Sequence, residues 1–309
     1  MITAPNESVI LSALGWSDAG SVWRYHPASH TTDTVKLSDA EWLRLIPGSG
    51  DTFTVVHNFR EMDRIDITAH TFASFPTALA TARIEGRTAT FSGNQNAWQS
   101  AATNYTANLD GSTYLITLNP NSETATLFAL DWYSNERYDL GYQGIVGVTA
   151  IPNTRRLLFS IQRSSNLVLY DCDRHIMVRE VPLSGRGGNP TLEFRGDELW
   201  ATDYDTLLRL DISDWRIIKS RRLQSSPNGT MEFIGDFAFD VSGETCVVAR
   251  PFTGDVVAID KRTLKPKMSF KTDRQPLEVG VLSSGFVVAR DWKTGDLLKG
   301  QLSRGFWGA

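Results

Sequence analysis

The chain has 309 residues with 31 basic and 35 acidic side chains, a formal net charge of −4, and two cysteines. Near balance of this kind lacks the basic footprint of a nucleic-acid binder, and no apolar run reaches the roughly 18 residues of a membrane-crossing helix. No nucleic-acid partner and no membrane span are therefore expected. So few cysteines in so long a chain suit a reducing compartment, and the opening MITAPNESVI lacks the charged and apolar regions of a secretory signal. A cytoplasmic location is expected, with an exported mature form left open.

In chain order, SVILSAL at 8–14 and SVWRYH at 21–26 form a first hairpin with an outer strand at 33–37. Short β-branched and aromatic runs divided by Gly, Asn, Asp and Ser are the signals used throughout. Few residues precede this hairpin and few follow the last one. The two chain ends are therefore expected to meet in one shared blade, which would remove free sheet edges. A second unit takes 41–47, 52–57, 64–68 and 80–85. The hairpins 114–118 with 124–131, 156–161 with 166–171, and 198–202 with 206–211 follow, with further strands such as 176–181 and 217–223. A sixth unit has strands at 236–240 and 268–271 around the hairpin 247–259, and a seventh runs from Pro276 to the end. No segment keeps a 3.6-residue apolar period, so almost no helix is predicted.

The unit is clearest in Asp240–Lys265, DVSGETCVVARPFTGDVVAIDKRTLK, whose VVAR at 247–250 returns at 287–290. The residues closing the second strand of each hairpin are His26, Thr68, Asp131, Asp171, Asp211, Asp260 and Gln301, at intervals of 42, 63, 40, 40, 49 and 41 residues. A period of roughly 40–45 residues with four short strands is that of a propeller blade. The expectation is one all-β domain over 1–309, a seven-bladed β-propeller. The long interval places an insertion within 69–102. Cys172 and Cys246 fall in non-adjacent blades and should remain unpaired.

The succession of an extended strand, Asp-x-x-Gly (240–243), VVAR (247–250), x-x-Gly-Asp (to 255), VVAID (256–260) and x-x-Thr (to 263) resembles the YVTN-type repeat of WD40-like and quinoprotein-like propellers. The Gly-His and Trp-Asp dipeptides of true WD40 repeats are missing, and Asp-Trp at 131–132, 214–215 and 291–292 is the reversed order. The resemblance implies the fold. It implies little about chemistry, because propellers serve as scaffolds, lectins, lyases, lactonases and cofactor enzymes.

Catalytic signatures are scarce. His26, His30, His57, His70 and His175 are scattered without metal-ligand spacing, and there is no Gly-x-Ser-x-Gly elbow, phosphate-binding glycine loop or Cys-x-x-Cys. One pattern rises above this background. In a propeller, the turn between the second and third strands of a blade emerges on the same face as the loops between blades, around the channel mouth. Those turns carry Trp16, Phe59, Tyr204, Phe252 and Trp292, with Arg60, Arg163, Arg250, Arg290, Asp203 and Asp291 beside them. Turns favour small polar residues, and an exposed aromatic costs hydrophobic surface unless something covers it. Aromatics and arginine dominate interface energetics. The two alternatives are a ring packed down between blades and a shared binding face for a peptide, protein or glycan, with no cofactor. A second function class is a metal-dependent lactonase-like hydrolase or lyase at the channel mouth, with Ca²⁺ or Mg²⁺ held by oxygens of Asn189, Glu232, Asp236 and Glu278.

Overall fold

The computed structural model describes twenty-seven β-strands between residues 2 and 306 and no helix among the described residues. Side-chain surroundings are described chiefly for 148–161, 164–183, 191–223, 233–294 and 296–302, with a few positions near Tyr25. The strands form seven antiparallel sheets, each joining strands consecutive in the chain. Blade one is Ile2–Thr3, Ile10–Leu14, Ser21–His26 and Thr31–Lys36; blade two is Arg44–Pro47, Thr52–His57 and Glu61–Asp66. Blade three is Thr106–Leu109, Ser112–Leu118, Thr124–Leu130 and Asn135–Gln143; blade four is Ile145–Ala150, Arg156–Ile161, Asn166–Asp171 and Ile176–Pro182. Blade five is Leu192–Arg195, Glu198–Asp203, Thr206–Asp211 and Arg216–Arg222. Blade six is Phe237–Phe239, Thr245–Arg250, Asp255–Asp260 and Pro266–Lys271; blade seven is Pro276–Val281, Phe286–Asp291, Leu297–Gln301 and Gly305–Phe306. The strand expected at 80–85 lies outside the described residues.

The aspartates that set the sequence period have a local cause. Asp171, Asp211 and Asp260 each end a third strand and accept backbone N–H groups of the following turn through Oδ1, from Asp173 and Arg174, from Ser213, and from Thr263. In each case the fourth residue beyond the aspartate is left-handed: His175 at φ 54°, Trp215 at 60° and Leu264 at 57°. A short acceptor side chain satisfying its own turn is the reason Asp is selected there. Hydrogen bonds from the Thr263 hydroxyl and amide hold the Asp260 carboxyl down at about 2.

The core lies between blades. Trp200 of blade five meets Phe239 of blade six edge-on at 4.9 Å, within a buried cluster that also holds Leu207, Cys246 and Val257. Equivalent clusters join blades four and five and blades six and seven. Second strands are therefore buried along nearly their whole length, as in Phe286–Asp291, whereas the outer strands Ile176–Pro182 and Arg216–Arg222 are largely exposed. This sandwiching explains why VVAR reads as a continuous apolar run rather than an alternation. Side-chain latches recur between the outer strand of one blade and the turn of the next: Arg179 Nη2 donates to the Asp214 carbonyl at 2.8 Å and Lys219 Nζ to that of Arg262 at 3.0 Å.

The expected sharing of one blade by both chain ends is not what the structure shows. Ile2–Thr3 pairs with Ile10 and Leu11 as the inner strand of blade one, and Gly305–Phe306 pairs with Gly300 and Gln301 as the outer strand of blade seven. Two residues at each end suffice to finish a sheet. The ring closes by packing instead: Tyr25 of blade one stacks on Phe286 of blade seven at 5.8 Å, beside buried Leu282 and Val288. Cys172 and Cys246 are both buried and neither forms a disulfide, as expected from their blades. No helix among the described residues is long and apolar enough to cross a membrane.

Candidate functional site

On one face, which we call the upper face, loops between blades bond to the turns joining second and third strands. The Ile234 amide donates to the Tyr204 carbonyl, the Thr272 amide to Gly254 and the Trp292 amide to Gln275, each at 2.8 Å. Four rings gather there over blades five to seven. Phe233 lies at the centre, with its ring 6.5 Å from Tyr204, 4.9 Å from Phe252 and 5.3 Å from Trp292, all edge-to-face; Phe252 and Trp292 are 6.0 Å apart. Tyr204, Phe233 and Trp292 are half-buried, and Phe252 is 43 % exposed. The rings are thus neither core residues nor free-standing. They bury their edges in each other and leave part of their apolar surface to solvent, in the geometry aromatic pairs favour.

Tyr204 is the first residue of the two-residue turn between Asp203 and Thr206, with φ at 56°. Two-residue hairpin turns require a positive φ there, and a bulky residue in that region is uncommon. Its ring is held against Phe233, and burial pushes its hydroxyl pKa up, with Asp205 acting in the same direction.

Phe233 was not expected. It lies in the loop between blades five and six, while the aromatic pattern was sought in the turns within blades. Applying the same criterion to the inter-blade loops, which emerge on the same face, finds it four residues before the inner strand Phe237–Phe239.

The charged residues differ from the expected exposed rim. Arg290 is 2 % exposed and grips Glu278 of the inner strand with both Nε (2.9 Å) and Nη2 (2.8 Å), while its Nη1 has no hydrogen-bond partner among the described residues. Arg250 turns to the third strand and holds Asp255, Nε at 2.9 Å and Nη2 at 2.5 Å, with Nη1 on the Leu223 carbonyl at 2.7 Å. Asp255 also accepts from Thr253 and Ser269, and these bonds hold its carboxyl below the usual range against the opposing effect of burial. Asp291 is a turn cap, accepting the amides of Gln275, Lys293 and Thr294 at 2.7 Å each. Asp203 is buried and accepts from Ser165 of blade four at 3.2 Å. The expectation of solvent-facing guanidinium groups is therefore corrected for Arg290: a buried arginine needs a carboxylate partner, and the chain supplies one. Trp16, Phe59, Arg60 and Arg163 lie outside the described residues.

Of the four oxygen ligands considered for a cation, Asn189 and Glu232 lie outside the described residues. Asp236 and Glu278 stand on adjoining blades, joined through the bond from the Asp236 amide to the Leu277 carbonyl at 2.8 Å. Thr191 Oγ1 donates to Asp236 at 2.6 Å. Burial pushes the Asp236 carboxyl up to about 6, and Glu278 adds to this, while Thr191 and Arg290 oppose it. Glu278 is engaged by Arg290, and among the described residues no three His, Cys, Asp or Glu side chains are grouped to hold a metal.

Solved structures decide the architecture. A chain of the mitotic checkpoint complex superposes with a TM-score of 0.66 at 8 % identity, over 99 % of this chain and 88 % of that one. The Swd1 β-propeller domain of Myceliophteria thermophila superposes at 0.64 and 11 % identity, over 96 % and 93 %. The fold is a WD40-like β-propeller. This propeller also resembles the dihydro-heme d1 dehydrogenase NirN, at a TM-score of 0.55 and 13 % identity, over 99 % of this chain and 64 % of that one. No protein-family model matches the propeller's sequence, and no curated protein does. At these identities the likeness concerns the fold alone.

Proposed function

We propose that the protein is a propeller interaction module that holds a protein or peptide partner on its upper face through Tyr204, Phe233, Phe252 and Trp292. The observation that carries this is Phe252, 43 % exposed at a turn and packed edge-on against both Phe233 and Trp292. A rigid, half-buried aromatic group loses little entropy on binding and offers apolar area where contact energy concentrates. The structural neighbours add support, since one of them is a chain of the mitotic checkpoint complex. The test is selection of a random peptide library on the immobilised protein, followed by titration of the selected peptides against variants. Peptides bound on this face lose at least about tenfold in affinity with Phe252→Ala or Trp292→Ala. Val241→Ala, at a 74 % exposed position in a turn on the opposite face, leaves them unchanged. Binders indifferent to both aromatic variants would refute the assignment.

A further inference from the structure

We infer that the outer edges of blades five and six form a second docking surface, independent of the aromatic face, for an extended acidic protein segment. The chain as a whole is acidic, yet residues 212–223 carry four basic side chains against Asp214 alone, and 261–274 carry six against Asp273 alone. These segments are some forty residues apart in sequence. The fold sets them side by side, since Lys219 on the outer strand of blade five reaches the Arg262 carbonyl in the turn of blade six at 3.0 Å. Five of the ten are matched with acids among the described residues: Arg216 with Asp214, Arg222 with Asp205, Lys267 with Asp260, Lys271 with Asp255 and Arg274 with Asp296. Arg221, Arg262 and Lys265 have no acidic partner among the described residues, and Arg262 and Lys265 are exposed. Two apolar side chains stand exposed in the same patch, Ile218 at 45 % and Met268 at 40 %.

Lysines on an outer strand also guard against edge-to-edge aggregation. That role does not account for the arrangement. The corresponding stretch of blade four, 172–183, balances Arg174 and Arg179 against Asp173 and Glu180, so its edge is guarded without an excess of charge. Arg262 and Lys265 lie in and beyond a turn and guard no ladder. The excess is local to two adjacent blades, where it creates a field of one sign that draws an oppositely charged partner. An outermost strand of a sheet, with exposed apolar side chains and the alternate cations Lys219 and Arg221 on one face of Arg216–Arg222, fits an extended peptide, whose alternate side chains repeat at about 7 Å. An extended acidic segment pairing with the edge satisfies all three features; duplex DNA would use only the charge.

The test uses the full chain and a fluorescein-labelled peptide of about ten residues alternating Glu and Val, followed by fluorescence anisotropy. Binding is expected at low ionic strength and should weaken steeply as salt rises. The triple variant Arg221→Glu, Arg262→Glu, Lys265→Glu should weaken it at least about tenfold, with Phe252→Ala without effect. The corresponding triple Gln variant gives the same reading should the Glu variant fold poorly. A peptide with Pro at every second position lacks half its amide donors and should bind less well. The inference is overturned by absence of peptide binding at low salt, by equal binding to the triple variants, by indifference to the prolines, or by tighter binding of duplex DNA than of the peptide.

Discussion

Replacing Gly235 with alanine should open the junction between blades six and seven. A methyl group there would sit 2.1 Å from the Leu277 carbonyl oxygen, 2.9 Å from its carbon and 3.1 Å from its Cα. These are main-chain atoms of the neighbouring inner strand and cannot rotate aside, so a displacement of about 1 Å or more is needed to restore ordinary contact. Two backbone bonds run through the point: Gly235 N–H to the Ala249 carbonyl and Asp236 N–H to the Leu277 carbonyl, both at 2.8 Å. Overpacking costs roughly 1–3 kcal/mol, and weakening two hydrogen bonds adds about 0.5–1.5 kcal/mol each. A loss of about 3 kcal/mol corresponds to a fall in Tm of roughly 5 °C for a chain of 309 residues. Gly196→Ala is the control, because Gly196 has φ at 60° with nothing within 4 Å of the added methyl; only the left-handed backbone penalty of about 1–2 kcal/mol applies. Calorimetry or urea melts separate the two. Gly235→Ala no more destabilising than Gly196→Ala would refute the close-approach argument. Because Phe233 stands two residues away, the variant should also weaken peptides held by the aromatic face.

Other outcomes follow from the same geometry. Arg290→Met removes the guanidinium that grips buried Glu278 and should cost about 3–5 kcal/mol in denaturant melts, whereas Arg290→Met with Glu278→Leu should recover most of it; a neutral single variant would mean the pair is solvated. Phe252→Ala should cost only about 1 kcal/mol and Phe233→Ala about 2–3 kcal/mol, below the roughly 3–5 kcal/mol of a core phenylalanine; equal costs would contradict the central place of Phe233. Asp236 has a folded pKa of about 6, above its unfolded value of about 3.9. The folded state therefore holds a proton that the unfolded chain releases, and the contribution of this group is greatest below about pH 4 and falls as pH rises towards 6. Asp236→Asn should remove that decline, by no more than about 3 kcal/mol. Asp255 and Asp291, both held below the ordinary carboxylate range, lose stability in the opposite direction as pH falls, so the test is the difference curve between variant and parent. An unchanged difference across this window would rule out the shifted carboxyl.

The sequence by itself determined what depends on short-range chemistry. Third strands ending in Asp171, Asp211 and Asp260 were legible because each aspartate caps its own turn. The hairpins Arg156–Ile161 with Asn166–Asp171 follow from β-branched and aliphatic runs flanking a polar turn. The aromatic turns Tyr204, Phe252 and Trp292 could be matched across blades because the repeat puts them at equivalent places. Inner strands such as Leu192–Arg195 are short and were less visible, since their burial comes from neighbouring blades rather than from their own pattern. Tertiary structure alone decided which charges are solvated. Arg250 and Arg290 end the same VVAR motif, yet one turns to Asp255 on the third strand and the other to Glu278 on the inner strand. It also brought Phe233 between rings from three different turns, and set two basic segments forty residues apart on adjoining edges. Periodicity along a chain fixes which residues are equivalent. Contacts across blades join residues that no local pattern relates, and those contacts decide the partners of buried charges and the make-up of each exposed face.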